Sequence, residues 1–106
     1  MKMKFVNLTP HDITVVVNGK TTVFPKTETV ARCEVVRDKF DVINGIPIYA
    51  TRYGNVTDLP PMQENVIYIV SAMVKDKEYT RHDLVSLGNL IRDDRGVVTG
   101  CDGFHV

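Results

Sequence analysis

The stretch that decides the fold class is Ile13-Thr14-Val15-Val16-Val17-Asn18-Gly19-Lys20-Thr21-Thr22-Val23-Phe24. Its first five residues are β-branched throughout, which suits a pleated surface. Asn18-Gly19 then supplies two successive residues that tolerate positive φ, as a type I′ hairpin turn demands. Strands over 13–17 and 20–24 follow, the second stopped by Pro25. The same dipeptide recurs at Asn44-Gly45, between Val42-Ile43 and Ile46, so residues 40–49 read as a second hairpin. Pro47 within it marks an edge strand, because proline has no N–H for a further ladder. Residues 90–92 and 96–100 flank Asp93-Asp94-Arg95 and read as a third hairpin.

Working outward, residues 4–8 read as a short first strand and Thr9-Pro10-His11-Asp12 as a turn. Residues 29–37 alternate: Val30, Arg32 and Glu34 against Ala31, Cys33 and Val35, the pattern of a half-exposed strand. Residues 52–64, marked by Gly54 and Pro60-Pro61, read as a loop. Residues 65–70 form a strand ending in the apolar run Val66 to Val70, and Ser71 then reads as a helix N-cap. A short helix from 72 to about 78 would bury Met73 and Val74 and leave Lys75, Asp76 and Lys77 outside. Residues 83–87 give one more strand, and Phe104 is expected to pack back onto the sheet. The expectation is one domain over 1–106, of α+β class, mainly antiparallel β with several hairpins and one short C-terminal helix. Open sheet edges invite pairing with another copy, so a homo-oligomer is expected.

The chain has 106 residues, with thirteen basic side chains against thirteen acidic ones. Formal neutrality gives no field to attract a polyanion, so DNA is not an expected partner, whereas a small anion needs only two or three local arginines. Cys33 and Cys101 form no C-x-x-C pair and signal no metal or redox site. They read as two small apolar residues, with a disulfide open to them if the fold brings them together. No stretch approaches the roughly 20 apolar residues of a membrane span, and no apolar signal region follows the basic start. A cytoplasmic protein with no cofactor is the expectation.

Arg92-Asp93-Asp94-Arg95 is the densest charge cluster. Its ordinary reading is a solvated turn; its functional reading makes Arg92 a planar fork for a phosphate and Asp93 an acceptor for a ribose hydroxyl. Arg32 is either an ion-pair partner for Glu28 or Glu34, or an arginine facing a ligand or a second subunit. His11-Asp12 and His82-Asp83 belong to no metal or triad signature, and structural roles fit both pairs: a turn cap for the first, a helix-end histidine for the second. No phosphate-binding glycine loop occurs, and Ser71 and Ser86 lack a nucleophile-elbow context. The residues nominate no enzyme.

Several segments together resemble a phage family. They are Val6-Asn7-Leu8-Thr9-Pro10-His11-Asp12-Ile13, Thr29-Val30-Ala31-Arg32, Tyr53-Gly54-Asn55-Val56 with Leu59-Pro60, Ile67 to Val74, and Ile91-Arg92-Asp93-Asp94 with Gly96-Val97-Val98. Over nearly the whole chain these resemble the first described type of Thoeris anti-defence proteins, which sequester signals. The resemblance implies a non-catalytic sponge. It would bind a glycocyclic ADP-ribose messenger intact, with further sites for cyclic oligonucleotides, and assemble as a dimer or higher, up to a hexamer. It implies ligand contacts for Arg92 and Asp93 and an oligonucleotide site at Ala31 and Arg32. The family also uses an asparagine and an aromatic residue upstream, for which Asn89 and Tyr79 are the nearest matches. The chain is shorter than the family pattern between helix and last hairpin, which leaves the preferred messenger open. Two other readings remain: an adaptor with no small ligand, and a messenger hydrolase using His11 or His82.

Overall fold

The computed structural model describes residues 2–106. Its elements are β1 (Lys4–Asn7), β2 (Ile13–Val17), β3 (Lys20–Phe24), β4 (Arg32–Ile43), β5 (Ile46–Thr57), β6 (Val66–Ile69), α1 (Ala72–Lys77), β7 (Leu84–Leu87), β8 (Leu90–Arg92), β9 (Val98–Cys101) and β10 (Phe104–His105). One sheet has the order β1-β6-β7-β10, a second the order β3-β2-β9-β8, and β4 and β5 form a two-stranded sheet of their own. The class is α+β, mainly antiparallel β with several hairpins and one short helix. The β1–β6, β6–β7 and β2–β9 pairs are parallel. Hairpin signals give no sign of these, because parallel neighbours are joined by long connections and not by turns.

β6 holds the core together. Tyr68 and Val70 face one cluster with Leu8, Val74 and Leu84, while Ile69 faces the other with Ile13, Val15 and Cys101. A strand covered on both faces reads as a continuous apolar run, which accounts for residues 66–70. α1 is capped as expected, the Ser71 hydroxyl accepting from the Val74 N–H at 3.3 Å. Val74 is fully buried, but Met73 is 40% exposed, contrary to the expectation that both are covered. Successive helical residues point about 100° apart, so a helix this short lays only one of the two on the sheet. Phe104 does pack back, its ring 5.1 Å from that of Phe5 and 5.4 Å from that of Phe24. Both cysteines are free thiols, Cys101 buried and Cys33 half-buried.

The largest departure from the sequence reading lies between residues 32 and 57. The strand expected at 29–37, the hairpin at 40–49 and the first part of the loop at 52–64 are one long hairpin with strands of 12 residues each. Asn44 (φ 53°) and Gly45 (φ 77°) turn it, as the dipeptide indicates. Gly54 marks a slip in register and not a loop, and a Cβ there would sit 3.0 Å from the Glu34 side chain. The base of this arm is tied down: Cys33 and Val56 pack on the core. The Lys77 ammonium lies 3.4 Å from the Tyr53 carbonyl. Residues 37–51 are all exposed. The arm stretches the molecule to 56 Å and its radius of gyration to 16.9 Å, against about 13 Å for a compact domain of this length.

Candidate ligand-binding site

β1, β6 and β7 run parallel, so their carboxyl ends emerge on one side of the sheet. Thr9, Val70-Ser71 and Leu87-Gly88 lie at those ends and rim a cavity of about 700 Å³. The second sheet closes its other side with Ile13 and Thr14 of β2, Leu90 of β8 and Val98 to Cys101 of β9. Crevices outside the carboxyl ends of parallel strands are habitual ligand sites, and this volume suits a nucleotide-sized molecule.

The walls are mainly apolar, and the polar groups are few. Ser86 lines the cavity although it is only 6% exposed. No hydrogen bond engages its hydroxyl among the described residues, and since no buried side-chain oxygen there is left unpartnered, that hydroxyl opens onto the cavity. Two other polar groups at the rim, Thr99 and Asp12, are already engaged. The Thr99 hydroxyl donates to the Ile91 carbonyl at 3.3 Å, and the Asp12 carboxylate accepts from the Lys26 N–H at 2.8 Å. His11 stands exposed at the mouth. Two glycines let the backbones close up: a Cβ on Gly88 would meet the Asp102 carboxylate at 2.6 Å, and one on Gly100 the Thr14 carbonyl at 2.9 Å. The site therefore offers a mainly apolar slot with the Ser86 hydroxyl in its wall, suited to a flat or aliphatic group bearing a polar edge.

Asn7 positions the rim. This buried side chain donates to the carbonyls of His11 (2.8 Å) and Phe24 (2.9 Å). It accepts from both the N–H (2.9 Å) and the hydroxyl (2.7 Å) of Thr9. One amide thus fixes the 9–12 turn against the end of β3. On the far side of β7, Asp83 is buried and takes a bidentate pair from Arg81, at 2.8 and 2.7 Å. The Arg81 guanidinium also donates to the Pro60 carbonyl at 3.0 Å. These bonds from Arg81 hold the Asp83 carboxyl below its ordinary range against the opposing effect of burial.

The sequence candidates fall in three separate places. Arg92 and Asp93 sit at the tip of the β8–β9 hairpin, whose root walls the cavity, and both are exposed. Neither lines the cavity itself. The Arg92 guanidinium donates to the Gly96 carbonyl at 2.9 Å, and Asp93 Oδ1 accepts from the N–H groups of Arg95 (2.8 Å) and Val97 (3.0 Å). Asp93 is thus the keystone of its own turn. Asn89 is held by Asp102, its N–H at 2.9 Å and its side-chain amide at 3.3 Å from that carboxylate. Tyr79 lies apart, 82% exposed, beside a second hollow of about 500 Å³ with Lys75, His82 and His105. Ala31 is buried in the core, its N–H donating to the Leu8 carbonyl at 3.0 Å. Arg32 is exposed at the root of the arm, opposite Thr57. Ser86 and the cavity escaped the sequence reading because no spacing marks a serine at the end of a parallel strand. No group of three or more metal-ligating side chains occurs among the described residues, and none of their helices is long and apolar enough to cross a membrane. Compared with known proteins, the chain matches no family model, no curated protein and no solved structure.

Proposed function

We propose that this chain binds and sequesters a small cyclic nucleotide messenger, of the glycocyclic ADP-ribose or cyclic oligonucleotide kind, without cleaving it. In this reading it serves immune evasion in the cytoplasm of a phage-infected bacterium, and copies of the chain assemble around the ligand. The observation that carries it is the cavity of about 700 Å³ at the root of the hairpin that presents Arg92 and Asp93. An apolar slot with the Ser86 hydroxyl suits a base or ribose. Arg92 commits one contact to the Gly96 carbonyl and keeps further donors of its planar fork for a pyrophosphate. The resemblance of the Ile91-Arg92-Asp93-Asp94 segment to the Thoeris anti-defence family points the same way. Asn89, Tyr79 and Arg32, all exposed, enter as secondary contacts to be tested singly, whereas Ala31 is covered by the core and offers a ligand no contact.

The test is native mass spectrometry of the protein with a panel of cyclic nucleotides, followed by denaturation and analysis of what is released. Retention of one ligand, recovered chemically unchanged, is the expected result. Arg92→Ala should weaken retention by roughly 10- to 100-fold, the worth of one charge-assisted contact, with an unchanged circular dichroism spectrum. Filling the slot with Ser86→Phe should abolish it. A degraded ligand, with degradation lost in His82→Ala, would establish the hydrolase instead. The exposed arm favours the adaptor as the second reading, and failure to retain any nucleotide would select it.

A further inference from the structure

The 9–12 turn treats the backbone and the side chain of one residue oppositely. The His11 carbonyl accepts two hydrogen bonds, from the Asn7 amide at 2.8 Å and from the Thr9 hydroxyl at 3.0 Å. Asn7 is itself buried, so the backbone of His11 is anchored to the body of the protein. The imidazole is exposed, lines the mouth of the cavity of about 700 Å³, and has no hydrogen-bond partner among the described residues. A ring with no structural duty of its own thus stands at a fixed place on the way into the slot.

The groups around it narrow what that ring can do. No lysine or arginine lines the cavity, and the residues of β2, β6, α1, β7 and β8 that reach it carry no titratable side chain. Besides His11, the titratable groups in the lining are Asp12, on the same turn, and Cys101 of β9. The Asp12 carboxylate already accepts the Lys26 N–H at 2.8 Å. The Cys101 thiol is buried and directed to the Thr14 carbonyl at 3.6 Å. His11 is therefore the one group in the described lining that can gain a positive charge, and histidine is the side chain whose charge changes between about pH 5 and 8. The chain's two other histidines, His82 and His105, belong to the second hollow. We propose that His11 is a proton-dependent clamp at the mouth of the cavity: as an imidazolium it holds a phosphate group there while the slot behind takes the uncharged ring, so phosphorylated ligands bind more tightly as the pH falls. This rests on the nucleotide-binding reading and gives its site a preference for ligands that join a flat uncharged ring to a phosphate. A charge-assisted contact at a mouth open to water is worth about tenfold in affinity. By linkage the bound phosphate favours the protonated ring, so binding takes up a proton.

The test is isothermal titration calorimetry with glycocyclic ADP-ribose and with adenosine, between about pH 5.5 and 8. The pyrophosphate of the first probe keeps its charge throughout, so a pH effect reports on the protein. The proteins are the wild type, His11→Gln, His11→Lys and His82→Gln, with circular dichroism confirming one fold, since the hydrogen bonds at position 11 use only the backbone. The wild type should bind glycocyclic ADP-ribose about tenfold more tightly at the acid end, while adenosine binding stays flat. His11→Gln should lose the dependence and keep the weaker, alkaline affinity at both ends. His11→Lys should restore the tighter value at both ends, and His82→Gln should behave as the wild type. In NMR spectra the His11 ring signals, and not those of His82 or His105, should move toward the protonated form when the probe is added at neutral pH. A wild type that binds with a flat pH profile overturns the clamp and leaves the ligand reading standing, as does a dependence that survives in His11→Gln or vanishes in His82→Gln. A wild type that binds neither probe at any pH overturns the clamp together with the reading it rests on. Cleavage of the probe, lost in His11→Gln, would make the ring a general base and overturn the clamp in favour of a hydrolase.

Discussion

At the scale of single residues, the two most consequential side chains are polar and buried. Asn7 makes four hydrogen bonds that fix one wall of the cavity. Asn7→Ala leaves the Phe24 carbonyl and the Thr9 N–H without their partner, while the His11 carbonyl keeps the Thr9 hydroxyl. A loss of about 2–4 kcal/mol is expected in urea denaturation, more than one net hydrogen bond because buried groups stay unsatisfied. The Arg81–Asp83 pair adds a pH dependence. Asp83 is held below its ordinary value near 3.8, chiefly by its hydrogen bond from Arg81. The folded pKa is the lower one, so the contribution is complete above the unfolded value and is lost as pH falls through the folded value. Asp83→Asn should cost on the order of 3 kcal/mol at neutral pH. The gap between variant and wild type should close as denaturation is repeated below about pH 4. Neither role was legible. The Asn7 bonds reach 17 positions along the chain to Phe24, and the eye falls on His82-Asp83 while the real partner of Asp83 is Arg81.

At the scale of elements, hairpin turns were the legible part. Asn18-Gly19 and Asn44-Gly45 each place asparagine and then glycine at positive φ where the sequence indicates. The extent of the arm was not legible, because a ribbon exposed on both faces has no polar–apolar alternation to announce its length. Charges at Asp38-Lys39 and a glycine at 54 look like interruptions, yet they sit within continuous strands. The body should be indifferent to the distal arm. Replacing residues 37–51 with Asn-Gly, so that Val36 is rejoined to Arg52 across a tight turn, removes no buried side chain. The thermal midpoint of the remaining body should move by less than about 5 °C in calorimetry, the equivalent of under 1 kcal/mol.

At the scale of the whole molecule, the α+β class could be read because three hairpins announce antiparallel strands in the sequence itself. The cavity could not, because it lies where β1, β6 and β7 end beside β2 and β9, and sequence turns do not reveal those neighbours. The Arg92-Asp93 hairpin was legible as a charged turn, and its tip does carry both side chains outward. What the sequence lacked was the slot at its root and the Ser86 hydroxyl within it. The β2–β9 pairing has a consequence for how the chain is made. Val15 is matched with Cys101, and the cluster around Ile69 is completed by Cys101 and Phe104. During synthesis the early strands emerge with half of their core partners still untranslated. Closing that long loop is entropically costly, so folding is expected on the millisecond-to-second scale of β proteins and not that of fast helical ones. Until then the newborn chain shows Ile13, Val15 and Phe24 to its surroundings, the side chains that Cys101 and Phe104 later cover.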